Sequence, residues 1–258
     1  MKFVAALLVA VAGQAFAQYP EQTVRILVGF SPGVAPDVSA RLLAEKLSTS
    51  WGRPVVVENV TGAGGNIAAD RVAKAPPNGY TLGIIGNGSL VFSASMYDKL
   101  SYDPLQDFAP VSRVFVAANV LVVPADVPAK TLPELVALLR SQPGTYAHAG
   151  VGTSRHLAAE LFKSMAGVDV RPVAYCGTTA LLPDLLAGRV TLAFANISNA
   201  MPPVREGRLR AFAVTSMKRS AAAPDLPTMI EAGYADFEAV PWFGLMAPAG
   251  RRARSSID

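Results

Sequence analysis

The sequence predicts an α/β fold, and three observations carry that prediction. Apolar, β-branched runs recur along the chain; helical patterns separate them; and the runs are apolar on both faces, as buried parallel strands are. Such alternation marks an α/β layer architecture. The 258 residues fit one large domain or two small ones, and two segments favour two. LVVPADVPAKT opens a new β-α series after Asn119, and VPWFGLMAPAG is a second extended apolar segment near the end. Two crossings between two lobes would leave a cleft between them.

Taken in order, the chain opens with MKFVAALLVAVAGQAFA, which has a cation at Lys2, an apolar run from Phe3 to Val11 and small residues at Ala15 and Ala17. That is the pattern of a cleavable signal peptide over residues 1–17, so the mature chain is expected to start near Gln18 and to be exported. No cysteine follows the cleavage site, and no later apolar run reaches the roughly 18 to 20 residues of a membrane helix. The expected strands are Val24 to Phe30, Pro54 to Asn59, Thr81 to Gly86, Asn119 to Val123, Val190 to Ala195 and Leu209 to Thr215. Helices are expected between them. After Pro36, Leu43, Leu47 and Trp51 recur every fourth residue. Thr131 precedes LPELVALLR. Thr153 precedes SRHLAAELFKSMAG, where Leu157, Leu161 and Met165 share a stripe and Gly167 ends the helix. GTTALLPDLLAGRV reads as a further loop and helix, with Thr178 or Thr179 as cap and Pro183 tolerable only in the first turn or two.

Composition excludes several classes. The formal net charge of +4 falls to +3 without Lys2 and to +1 without the last eight residues, RRARSSID. The body is close to neutral, so the basic pI is no argument for nucleic acid. Cys176 is the single cysteine; no intramolecular disulfide can form, and stability must come from a buried core. Two histidines eight residues apart, without a clustered acid or cysteine, are not a metal ligand set.

Three glycine-rich loops each follow a strand and precede a helix or turn: FSPGVAPD (Phe30 to Asp37), IIGNGSL (Ile84 to Leu90) and AHAGVGTSRH (Ala147 to His156). Loops at the carboxyl ends of strands are where open α/β sheets bind ligands. Glycine lets backbone approach an anion, and the following helix offers N–H groups and partial positive charge. The physical reading is an anion or carboxylate site; tight turns are the plainer alternative. GVGTSRH lacks the P-loop lysine, and GAGG lacks the spacing of a dinucleotide fingerprint. A hydrolase built on Ser154 and His156 would need a G-x-S-x-G elbow that is absent. Thr153 is more simply an N-cap. His156 then sits in the first turn as a neutral imidazole, donating either to a ligand or to backbone.

Six blocks now form a set: YPEQTVRILVGFSPGVAPDVSARLLAEKLS, GAGGNIAADRVAKAPPNGYTL, YDKLSYDPLQDFAPV, AGVGTSRHLAAELFKSMAGVDV, LLPDLLAGRVTLAFANI and VREGRLRAFAVTS. In this order, from about Tyr19 to Gly250, they resemble the solute-binding proteins of tripartite tricarboxylate transporters, the Bug receptors. The resemblance implies a two-lobed periplasmic binding protein of the second structural type, with lobe 1 over residues 18–120, lobe 2 over 121–240 and a return segment over 241–258. It implies a small carboxylate held between the lobes. By resemblance FSPGVAPD, with Ser31, Pro32, Gly33 and Asp37, meets one carboxylate through backbone groups and bound waters. AGVGTSRH, with Gly150, Gly152, Thr153, Ser154 and His156, completes that site from the second lobe. Asn87, Ser89, Tyr175, Thr178 and Asn196 lie in the segments that vary with ligand. Val34, Cys176 and Thr179 depart from the family's usual glycine, basic residue and proline.

Family members continue beyond APAG in a TPRAIVDRL-like run. RRARSSID is therefore expected to be an out-of-frame tail, and an alternate reading frame of the coding DNA past Gly250 is the test. A truncation there would strip packing from the first lobe and lead to poor folding. Together these readings describe an exported, non-enzymatic, monomeric receptor, without cofactor or metal, that hands a small carboxylate to membrane transporter subunits. A ligand sensor for a signalling partner, a secreted Ser/His hydrolase and a non-functional fragment are the rivals.

Overall fold

The computed structural model describes residues 19–175 and 178–250, with backbone alone at 178 and 179. The expected signal peptide, Cys176, the side chains of Thr178 and Thr179, and RRARSSID lie outside the described residues.

The first half of the chain runs β1 (Val24–Val28), α1 (Ala35–Trp51), β2 (Val55–Asn59), α2 (Asn66–Ala73), β3 (Thr81–Gly86), a π-type turn over Gly88–Phe92, the short α3 (Ser93–Met96) and β4 (Phe108–Val116). The second half runs β5 (Asn119–Pro124), α4 (Leu132–Ser141), β6 (Gly144–His148), α5 (Ser154–Ala166), β7 (Val170–Ala174), α6 (Thr178–Leu186), β8 (Leu192–Asn196), α7 (Ile197–Arg205), β9 (Leu209–Val214) and finally β10 (Trp242–Pro248). The strands form two five-stranded sheets, in the orders β2-β1-β3-β10-β4 and β7-β6-β8-β5-β9. Each sheet is the centre of one lobe. The chain crosses once between β4 and β5, and returns when β10 inserts into the first sheet.

Both faces of each sheet are covered, which explains strands apolar on both faces. In the first lobe Ile26, Val28 and Ile84 pack into one cluster and Leu27, Ile85 and Met246 into another. In the second, Leu121 and Phe194 face one layer while Val120, Val122 and Ala193 face the other. At 25 cal/mol per Å² of apolar surface, these double-sided layers are the main stabilising contribution.

Several expectations need correction. The sheets are mixed, not parallel: β10 is antiparallel to β3 and β4, and β5 to β8 and β9. These are the two crossing strands. A strand arriving from the other lobe enters its sheet at the cleft side and must run away from it, opposite to strands that lead toward it. Strands β4, β6, β7 and β10 were outside the expected set, although the apolar segment holding β10 stood out. Strands β4 and β7 are sheet edges carrying Pro110 and Pro172, residues tolerated at edges because no N–H is needed there. In α5 the buried face is Ala158, Ala159, Phe162 and Ala166, whereas Met165 is exposed. The expected Leu157-Leu161-Met165 stripe is thus displaced around the helix toward the small residues that allow close approach to the sheet.

Local signals for helix ends were read well. Thr131 accepts from the Glu134 N–H at 3.3 Å. Thr153 caps α5 by accepting from the His156 N–H at 3.4 Å, and Gly167 closes that helix at φ 60°. Among the described residues no helix is long and apolar enough to cross a membrane.

Candidate functional site

Strands β1, β3, β6 and β8 all end at the space between the lobes, and each leads into a turn or helix start. These connections wall a cavity of about 50 Å³, lined by residues of both sheets. From the first lobe come Phe30, the first residues of α1, and Gly86 to Ser89; from the second come Asn119, Thr153, Ser154, Arg155, Asn196 and Asn199; Pro241 and Phe243 close it where the chain returns. A second, larger cavity of about 420 Å³ adjoins it, lined by Ser31, Thr61 to Gly64, Ala149, Gly150, Ala174 and Tyr175 among others.

The loop before α1 is shaped from behind. Asp37 is 1% exposed, and its carboxylate accepts from the Gly33 N–H at 2.9 Å, from Arg41 Nε at 3.0 Å and from Asn59 Nδ2 at 2.8 Å. Asn59 Nδ2 also donates to the Phe30 carbonyl at 2.9 Å. Burial alone would raise the Asp37 pKa, but the bonds from Arg41, Gly33 and Asn59 outweigh it and hold the carboxyl below its ordinary value. Asp37 therefore fixes the loop without facing the ligand space, where a second carboxylate would repel an anion. The N-cap position of α1, Val34, makes no side-chain capping bond, which leaves that helix start without a side-chain acceptor for its first N–H groups.

The opposing helix start is built from side chains. Thr153 Oγ donates to the Gly150 carbonyl at 2.8 Å and caps α5. Ser154 Oγ accepts from Asn119 Nδ2 at 3.2 Å, and the same nitrogen lies 3.3 Å from the Ala239 carbonyl. Because that carbonyl can only accept, the amide orientation is fixed. Asn119 Oδ1 is then a buried acceptor with no partner, in a residue that lines the cavity. An uncompensated buried acceptor costs about 1–3 kcal/mol, so a donor from a ligand hydroxyl or an ordered water suits this position. Nearby, Asn87 Nδ2 donates to the Val240 carbonyl at 3.0 Å, and Asn196 caps α7 by accepting from the Ser198 N–H at 3.1 Å.

Arg155 carries the only charge among the described residues lining either cavity. Burial pushes its guanidinium pKa down to about 10, which still leaves it cationic at neutral pH. Neither Arg155 nor Asn119 is singled out by sequence as a ligand contact: Arg155 is passed over within AHAGVGTSRH, and Asn119 is read as the start of a strand.

Of the residues expected to bind ligand, Asn87, Ser89, Thr153, Ser154 and Asn196 line the smaller cavity, and Ser31, Gly150 and Tyr175 the larger. Pro32, Gly33, Asp37, Gly152 and His156 line neither; the Thr178 side chain is outside the described residues. His156 sits instead behind the loop, its ring 4.7 Å from that of His148. Burial pushes both imidazoles below the ordinary histidine pKa; the Arg155 charge adds to this at His148, and His148 adds to it at His156. Ser154 Oγ pairs with Asn119 and not with His156, as the rival hydrolase reading would need.

The lobes touch beside the cavities. A Cβ on Gly64 would lie 2.9 Å from the Val151 carbonyl oxygen, and one on Gly150 would lie 3.0 Å from Gly64 Cα. GAGG, which matched no nucleotide motif, is the first lobe's side of this contact.

A family model described as tripartite tricarboxylate transporter family receptor matches residues 39–254. Protein BugT of Bordetella pertussis is 39% identical over 235 residues, covering 90% of this chain and 72% of BugT. Among solved structures, an R. palustris protein with adipate shares 36% identity with a TM-score of 0.87, over 92% of this chain and 80% of that one. MatC from Rhodopseudomonas palustris, with bound malate, shares 34% identity with a TM-score of 0.84, over 91% of this chain and 80% of that one.

Proposed function

Because the chain belongs to the tripartite tricarboxylate transporter receptor family, and has its two-lobed binding-protein fold, we propose that it captures a small carboxylate between its lobes in the periplasm and delivers it to a membrane transporter. The observation that carries this reading is the meeting of two helix starts on one cavity. Helix α1 approaches from the first lobe without a side-chain cap, α5 from the second with Thr153 and Ser154, and no described lining residue is acidic. Backbone N–H groups and helix dipoles favour an anion there, and the amides of Asn87, Asn119 and Asn196 supply neutral polar partners. Among the described residues no nucleophile and base are brought together in the cavity, so the site favours holding its ligand over transforming it. The neighbours with adipate and malate support a carboxylate as the class.

Capture follows the geometry. A ligand that meets groups of both lobes stabilises the closed arrangement over the open one by its differential affinity for the two, and closure presents a changed surface to a transporter. The test is a thermal-shift series on the full chain with mono-, di- and tricarboxylates, followed by calorimetric titration of the strongest responder. A rise in Tm that saturates with one of these acids is expected; no response to any of them would overturn the reading.

A further inference from the structure

The two cavities are joined at a waist, and only Phe30, Val34, Gly64 and Arg155 line both. Three of the four come from the first lobe and are apolar or glycine. The fourth is the second lobe's sole contribution and carries the only charge among the described lining residues of either cavity. We propose that Arg155 is the specificity-determining residue of the cleft, its guanidinium pairing with a second anionic group at the far end of a ligand whose first carboxylate sits between the two helix starts. This rests on the carboxylate-receptor reading and adds the charge pattern of the ligand and the residue that reads it.

The chemistry of the waist suits such a molecule. Phe30 and Val34 offer apolar surface to a methylene stem, and the smaller cavity adds neutral amides and two helix starts beside Arg155. Arg155 lines both cavities, so a dianion long enough to pass the waist can set one carboxylate at the helix starts and the other against the guanidinium. Arg155 is half-buried, and burial lowers its pKa without discharging it. A partly desolvated guanidinium gives stronger, charge-assisted hydrogen bonds than an exposed one, and its planar fork matches a carboxylate in two-point fashion.

The test is calorimetric titration of the full chain with succinate, glutarate and adipate, each beside its monoamide and the monocarboxylate of equal length. For the best dicarboxylate, the wild-type chain should prefer the diacid over its monoamide by about 10–100-fold, the range of a charged hydrogen-bonded pair. Arg155→Gln should shrink that ratio to within about threefold, and Arg155→Lys should retain part of it, keeping charge without the fork. Circular dichroism establishes that each variant folds, and the wild-type comparison of diacid with monoamide needs no variant. A wild-type ratio near one, or a ratio preserved in Arg155→Gln, sinks the role of Arg155 while leaving the receptor reading intact. Absence of binding by the whole series removes both.

Discussion

The two helix starts that face each other across the cleft are made by opposite strategies. Helix α1 begins at Val34 with no capping side chain, and its loop is held from behind by Asp37, Asn59 and Arg41. Helix α5 begins with its cap in place, and its first residues Thr153, Ser154 and Arg155 all line the cavity. One lobe therefore contributes a neutral shape with backbone donors, and the other contributes side-chain chemistry. A receptor divided in this way can change its ligand by substitutions on the second lobe while the first remains the same.

Four perturbations would break or sharpen that contrast. The largest effect is expected from Asp37→Ala, which leaves the Gly33 N–H and Asn59 without their buried acceptor; stability should fall by about 2–4 kcal/mol in urea denaturation. A change under about 0.5 kcal/mol would mean that the loop holds its shape without this network. Next comes Gly64→Ala. The Val151 oxygen at 2.9 Å and the φ of 67° make a Cβ there a wedge between the lobes, costing about 1–3 kcal/mol. Calorimetry should show affinity reduced by about 10–100-fold, and unaltered affinity would show that ligand is bound without this lobe contact. Thr153→Ala removes the α5 cap, and a loss of about 1 kcal/mol is expected in the same denaturation assay; Thr153→Ser should restore most of it.

The smallest effect concerns the histidine pair behind α5. Both imidazoles have folded-state pKa values below the ordinary one, so between those values and about 6.5 the unfolded chain binds more protons than the folded chain. Stability from this source is complete above about pH 6.5 and declines as pH falls through the folded values. A Tm profile should show this decline, and His156→Gln should make it shallower. An identical slope in the variant would place the effect elsewhere. Asp37 has its own window: its folded pKa is lowered, so its contribution is present above about pH 4 and is lost on further acidification.

Much of this arrangement was legible in the sequence, because local rules govern it. FSPGVAPD and AHAGVGTSRH follow their strands and start their helices as their glycines, Pro36 and Thr153 foretell. Less legible were features that depend on what lies across space. Asn119 reads as the first residue of a strand, and nothing nearby in sequence reveals that its amide meets Ser154 and the carbonyl of Ala239. Arg155 carries no sequence signal of its own, and only the fold shows that it lines both cavities with Phe30, Val34 and Gly64 of the first lobe. His156 reads as a donor either to ligand or to backbone, and the turn that caps α5 carries its ring toward His148. The edge strands β4 and β7 carry proline and charge because they bury little, and that same property hides them from a search for apolar runs.

The crossings between the lobes run side by side. The Ala117 N–H donates to the Pro241 carbonyl at 3.0 Å, and Val116 pairs with Trp242, so neither connection can bend without the other. Coupled in this way, the two connections form one two-stranded ribbon between the sheets. A ligand that draws the two sheets together must therefore deform both strands of this ribbon at once, so the free energy of closing the cleft is set at residues 116–117 and 241–242 as well as at the ligand.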